Sequence, residues 1–96
     1  MEKQELIDRI RKDRISIQFS NLEEKEKIVE FFKGEGFSFG MDEELEEGFI
    51  ENYDDYDLSD YEASSCDVMT FQEFLRVFNR WDIRYLLFKN GYLGII

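Results

Sequence analysis

A run of tyrosines and carboxylates in the middle of the chain contains the residues best suited to form a functional site. It reads Tyr53-Asp54-Asp55-Tyr56-Asp57-Leu58-Ser59-Asp60-Tyr61-Glu62. Interfaces favour tyrosine, which buries a large area with few rotatable bonds and keeps a polar tip. Carboxylates held between such anchors present a negative field comparable to that of duplex DNA, which carries one charge per ~1.7 Å of axis. The run therefore favours a binding surface for a basic partner, against the alternative that the tyrosines only pack a loop onto the domain.

The negative charge of the protein is confined to the same part of the chain. The 96 residues include 12 Lys and Arg against 23 Asp and Glu, for a net charge of −11. No basic residue lies between Lys33 and Arg76, whereas that interval contains 14 acids. Phosphate contacts require a basic surface, so we expect no direct binding to DNA or RNA.

We predict that the acidic segment, which we define as Asp42 to Glu62, contacts a protein partner. Asp54, Asp55, Asp57 and Asp60 are the expected phosphate surrogates, and the three tyrosines are the expected anchors. The full set of predicted partner-binding residues is Asp42, Glu43, Glu44, Glu46, Glu47, Glu51, Tyr53, Asp54, Asp55, Tyr56, Asp57, Asp60, Tyr61 and Glu62.

Other site chemistries fit the residues poorly. An EF-hand loop starting at Asp55 would have Asp60 where glycine is needed and Cys66 where glutamate is needed. The chain has no histidine to activate Cys66 as a nucleophile. Gly34-Glu35-Gly36 lacks the Lys-Ser/Thr of a phosphate loop. We therefore predict no enzyme activity, no cofactor and no metal.

The first part of the chain reads as helix, strand, helix and strand. Residues 2–13 have helical periodicity, and residues 14–20 alternate apolar and polar side chains. Ser20-Asn21-Leu22-Glu23 fits a capping box that starts a second helix ending near Gly34. Residues 37–39 favour a short strand.

The acidic part is harder to interpret. Residues 41–65 are turn-rich and weakly periodic, which predicts an irregular segment with a possible short strand at 49–53. Residues 66–70 favour a strand that leads into a second capping box, Thr70-Phe71-Gln72-Glu73, and a helix over 71–79.

The end of the chain admits two interpretations. Asn90-Gly91 favours a hairpin within residues 84–96, and the alternative is one helix over 71–89. Helices and strands alternate without a long parallel repeat, so the predicted fold class is α+β. We expect one small domain over 1–96 with a short, mostly antiparallel sheet and two or three helices.

These features resemble those of small acidic inhibitors encoded by phages and mobile elements, including anti-CRISPR proteins and other DNA mimics. The strand–helix–strand opening over 14–39 and the later segment Val68-Met69-Thr70-Phe71-Gln72-Glu73-Phe74-Leu75 are similar to arrangements in small phage proteins. The resemblance implies a stoichiometric inhibitor that occupies the nucleic-acid-binding surface of a basic protein, such as a CRISPR nuclease or another defence protein.

Two alternatives share this composition. One is an immunity protein or antitoxin that caps a basic toxin. The other is a dimeric scaffold joined through the aromatic tail, which contains Trp81, Tyr85, Leu86, Leu87, Phe88 and Tyr92. We expect a monomer or a weak homodimer. The sequence has no apolar stretch of 18 residues and no signal peptide, which predicts a cytoplasmic protein with no membrane partner.

The charge distribution predicts that the pure protein does not shift DNA or RNA in a gel at physiological salt. Its acidic segment repels phosphates, and the basic residues outside that segment are too few to offset it. A micromolar, salt-dependent shift by the pure protein would contradict this prediction.

Overall fold

The computed structural model describes residues 1–12, 14–40 and 44–79. Within these ranges the chain is α+β, as predicted, with three helices and five strands. Their order is α1 (Lys3–Arg11), β1 (Ile15–Phe19), α2 (Leu22–Gly34), β2 (Ser38–Phe39), β3 (Gly48–Asp54), β4 (Asp57–Tyr61), β5 (Asp67–Met69) and α3 (Phe71–Asn79). The predicted hairpin at 84–96 and its helical alternative lie outside the described residues.

The five strands form one mixed sheet in the order β2-β4-β3-β1-β5. The two central pairings, β3 with β4 and β1 with β3, are antiparallel. Both edge pairings, β2 with β4 and β1 with β5, are parallel. The parallel edges were not anticipated, because each joins strands that are separated by other elements and no local turn signal marks them.

The segment predicted to be irregular over 41–65 instead contains two strands that form a hairpin. Ile50 lies opposite Asp60 in the register of β3 and β4, and Asp55 and Tyr56 connect the two strands. The strands were hard to recognise because they bury carboxylates as well as apolar side chains, with both Asp60 and Glu51 buried. Alternation of apolar and polar residues disappears where a strand buries its charged residues.

Helices and strands share one hydrophobic core. The core contains buried apolar residues from all three helices and from β1, β3, β4 and β5, together with Phe37. They are Leu6, Ile7 and Ile10 of α1, Ile28, Phe31 and Phe32 of α2, Phe74 and Val77 of α3, Ile15, Ile17 and Phe19 of β1, Ile50 of β3, Leu58 of β4 and Met69 of β5. Within the described ranges, no helix is long and apolar enough to cross a membrane.

Side-chain caps determine where α2 and α3 begin. The predicted box at α3 is confirmed: the Glu73 amide donates to Thr70 Oγ1 at 3.1 Å, and the Thr70 amide donates to the Glu73 carboxylate at 3.2 Å. At α2 the predicted box was one residue too early. Asn21 is the cap and accepts from the Glu24 amide at 2.9 Å, while the Glu24 carboxylate accepts from the Ser20 amide. Serine and asparagine cap equally well, so local sequence does not choose between neighbours.

We expect Gly48→Ala to destabilise the hairpin. Gly48 has a φ of +153°, and a Cβ there would lie 2.5 Å from the Tyr61 carbonyl oxygen. The strain should lower the free energy of unfolding by about 1–3 kcal/mol. Gly40→Ala is the matched control, because nothing lies within 4 Å of a Cβ at that position. Urea unfolding followed by circular dichroism compares the two variants, and an equal loss in both would contradict the expectation.

Candidate acidic binding surface

The β3–β4 hairpin carries most of the predicted binding residues and separates them into three groups. One group is buried and consists of Glu51 and Asp60. The second is the hairpin tip, which we define as residues 53–57. The third lies at the base of the hairpin, at the end of the strands opposite the tip, and consists of Glu44, Glu46, Glu47, Tyr61 and Glu62. Asp42 and Glu43 lie outside the described residues.

Asp60 forms a buried ion pair with Lys25 of α2. The Lys25 Nζ–Asp60 Oδ2 distance is 2.7 Å, and the side chains are 10% and 0% exposed. Asp60 Oδ2 also accepts from the Leu45 amide at 2.8 Å, and Lys25 donates to the Leu45 carbonyl at 2.7 Å. The pair therefore holds together α2, β4 and the connection that precedes β3.

Burial would by itself raise the pKa of Asp60. The hydrogen bond from Lys25, the hydrogen bond from the Leu45 amide and the Lys25 charge outweigh burial, so the pKa lies below its ordinary value of 3.8. The carboxylate is thus ionised at neutral pH and paired inside the protein through Oδ2, whereas its buried Oδ1 has no hydrogen-bond partner among the described residues. Asp60, predicted to contact a partner, is therefore not part of the exposed acidic surface.

The position of Lys25 was the signal that could have revealed this pair. Lys25 lies three residues before Ile28, and both are buried on the same helix. A lysine on the apolar face of a helix requires a buried partner, because an unpaired buried charge is very costly. The sequence offers many acids for that role, so it did not indicate which one.

Glu51 is also buried and serves the fold. Its carboxylate accepts from the Ser65 hydroxyl at 2.5 Å and the Ser65 amide at 3.1 Å, and it contacts the Ser64 hydroxyl and the Cys66 thiol at 3.4 and 3.5 Å. β4 and β5 both run parallel to β1, so residues 62–66 must return along the sheet between them. Glu51 holds this return in place, so this predicted partner-binding residue is not part of the exposed acidic surface.

The same network leaves Cys66 poorly suited to covalent chemistry. Burial raises the pKa of the Cys66 thiol, and the negative charge of Glu51 raises it further. A thiol in this environment stays protonated at neutral pH, whereas the thiolate is the reactive form. The cysteine therefore acts here as a member of a partly buried polar network.

The hairpin tip is anchored by backbone and side-chain hydrogen bonds. Asn52 Nδ2 donates to the Asp55 carbonyl at 2.7 Å, and the Ser38 amide donates to the Tyr56 carbonyl at 2.8 Å. Ser38 Oγ donates to the Asp57 carboxylate at 3.1 Å. These contacts hold the tip as a defined turn beside β2, so the backbone that bears its acids has a determined position.

Arg11 of α1 contacts the tip through two kinds of interaction. Its Nη2 lies 2.8 Å from Asp55 Oδ1, and its Cζ lies 4.1 Å from the centroid of the Tyr56 ring. The same ring packs against Phe37 at a centroid distance of 5.1 Å. The hydrogen bond with Asp55 raises the pKa of Arg11. One of the predicted phosphate surrogates is thus paired within the chain.

The other tip residues face solvent to different degrees. Tyr53 is 67% exposed and Tyr56 is 44% exposed, while Asp57 is half-buried. Asp54 is exposed, and it has no ion-pair partner within the described part of the chain. Tyr61, by contrast, lies at the base of the hairpin, where it is half-buried opposite Phe49.

Four exposed glutamates line one open depression at the base of the hairpin. We call this surface the acidic depression, and its acids are Glu44, Glu46, Glu47 and Glu62. Aromatic and polar groups from β1, β3 and the residue after β1 complete it, and none of its described lining residues is basic. A concave surface of one sign concentrates field lines and attracts groups of opposite charge.

Comparison with known proteins does not assign the chain to a family. No family model matches it, and no solved structure matches it. The acetyl-coenzyme A carboxylase carboxyl transferase subunit beta of Salinibacter ruber is 36% identical over 56 residues. The match covers 58% of this chain and 20% of that protein, so the chain spans about a fifth of the relative's length.

We predict that Asp60→Asn lowers the free energy of unfolding at pH 7 by about 3 kcal/mol, because it leaves the Lys25 ammonium buried without a counter-charge. The folded pKa of Asp60 lies below the unfolded value, so the contribution of the pair is complete above the unfolded value and is lost as pH falls through the folded one. From about pH 5 to about pH 2 the parent should therefore lose stability more steeply than the variant.

Urea unfolding at a series of pH values tests this prediction. The double variant Lys25→Met/Asp60→Asn removes both charges and keeps an acceptor for the Leu45 amide, so it should recover part of the loss. Parallel stability curves for the parent and Asp60→Asn below about pH 5 would show that the pair is not ionised as described.

Proposed function

We propose that this protein is a stoichiometric inhibitor whose acidic hairpin occupies the nucleic-acid-binding site of a basic partner. The observation that carries the proposal is the acidic depression, where four exposed glutamates line a concave surface with no basic residue in its described lining. Such a surface attracts a basic groove over long range and raises the rate of encounter. The protein acts by occupancy, without turnover and without a cofactor.

The way the depression is held supports this proposal. Leu45 lies between Glu44 and Glu46, and both its amide and its carbonyl are held by the buried pair of Asp60 and Lys25. The backbone that bears these glutamates is therefore positioned before any partner arrives. A surface that is ordered in advance loses less conformational entropy on binding.

The dimensions of the hairpin support a partner with an extended basic surface. β3 has seven residues, so the tip and the depression are about 20 Å apart. Both ends carry exposed carboxylates with aromatic side chains beside them. A groove that holds nucleic acid presents basic groups over such a length. Occupancy of this kind is also what the resemblance to small acidic phage inhibitors implies.

The proposal predicts that neutralising the depression weakens partner binding through the association rate. In the triple variant Glu46→Gln, Glu47→Gln, Glu62→Gln, the association rate at low salt should fall about tenfold and depend less on salt. The matched control is Glu5→Gln, Glu26→Gln, Glu30→Gln, which removes the same charge from exposed positions on α1 and α2.

The measurement has two stages. The partner is first captured from a host lysate and purified, and a nucleic-acid duplex is tested for its ability to displace the inhibitor. Surface-bound kinetics at two salt concentrations then compare the parent with both triple variants, with circular dichroism to verify folding. Equal effects of the two triple variants would contradict the proposal. A partner that nucleic acid does not displace would also contradict it and would favour an immunity protein or antitoxin.

A further inference from the structure

We infer that the hairpin tip is an arginine-binding site, which Arg11 fills in the free protein and which an arginine of the partner takes over in the complex. The inference rests on the proposed function and names the chemical group that the tip recognises. Arg11 therefore competes with the partner's arginine for the same site on the hairpin tip.

The tip already has the two groups that recognise a guanidinium. A carboxylate accepts hydrogen bonds from its N–H groups, and the face of an aromatic ring attracts its delocalised charge. Asp55 supplies the first at 2.8 Å from Arg11 Nη2, and Tyr56 supplies the second at 4.1 Å from Arg11 Cζ. The hydrogen bonds of Asn52 and Ser38 hold the backbone of Asp55 and Tyr56 without Arg11, and Phe37 packs against the Tyr56 ring.

Arg11 is held in a way that permits exchange. Its Nη2 pairs with a carboxylate that is 64% exposed, and exposed ion pairs contribute little to stability. Its Nε is buried and has no hydrogen-bond partner among the described residues, which is an unfavourable state for a donor. The internal contact therefore fills the site without satisfying the whole guanidinium.

The site favours arginine over lysine. A planar guanidinium stacks on a ring and donates to a carboxylate at the same time, whereas an ammonium is a more strongly hydrated point charge. Tyr53 and Asp54 directly precede Asp55 in the chain and are exposed, so the hairpin tip offers a second ring and a second carboxylate. A partner segment that carries neighbouring arginines matches this arrangement, and arginine is common where proteins recognise phosphate.

Two labelled peptides of equal length, one of arginine and one of lysine, test the inference by fluorescence anisotropy. Arg11→Gln removes a positive charge, which strengthens the binding of both peptides, but it also vacates the site. We therefore expect the preference for the arginine peptide over the lysine peptide to rise about tenfold. Arg9→Gln is the matched control, because Arg9 lies on the same helix with a similar exposure and does not contact the tip.

A second variant separates the site from general charge. In Arg11→Gln/Tyr56→Ala the gained preference should disappear, and circular dichroism should show an intact fold. An equal preference in Arg11→Gln and Arg9→Gln would overturn the inference. So would persistence of the gain without Tyr56. These results concern only the preference between the two peptides. Failure of the proposed function would instead appear as partner binding that does not change when the glutamates of the acidic depression are neutralised.

Discussion

The buried ion pair between Lys25 and Asp60 determines how the acidic hairpin is arranged. A carboxylate with no solvent exposure is tolerated only with a counter-charge and hydrogen bonds, so α2 has to lie where Lys25 reaches it. The same two side chains hold both backbone polar groups of Leu45. The connection that bears Glu44 and Glu46 is thereby placed against the core, and the depression that these residues line follows from that placement.

The acids of the hairpin divide between structural and surface roles. Asp60 and Glu51 are buried and serve the fold, the first by pairing with Lys25 of α2 and the second by holding the return of the chain to β5. The acids that remain exposed repel one another, which lowers the stability of a folded protein with a charge of −11. The proposed binding role gives these exposed carboxylates a use that offsets this loss of stability.

In the tertiary structure, basic side chains of the first two helices pair with acids that lie much later in the chain. Residues 1–33 have as many basic as acidic groups, which suggests a neutral unit. In the fold, however, Arg9, Arg11 and Lys25 reach Asp67, Asp55 and Asp60, respectively. The first two helices therefore supply counter-charges for three of the carboxylates that follow Lys33 in the sequence. The acidic depression contrasts with these sites, because no basic side chain is among its described lining residues.

The amino-acid sequence by itself determined the features that depend on nearby residues. The helix at 71–79, its capping box at Thr70 and the strand after Arg14 were all predicted correctly, because caps and periodicity act over a few positions. It also located the negative charge. Only the tertiary structure decided which carboxylates are buried, since Lys25 and Asp60 are 35 residues apart and any of several acids would have satisfied the same lysine. The parallel edges of the sheet and the contact of Arg11 with the tip were undetermined for the same reason, because each joins distant segments whose meeting depends on the packing of the whole core.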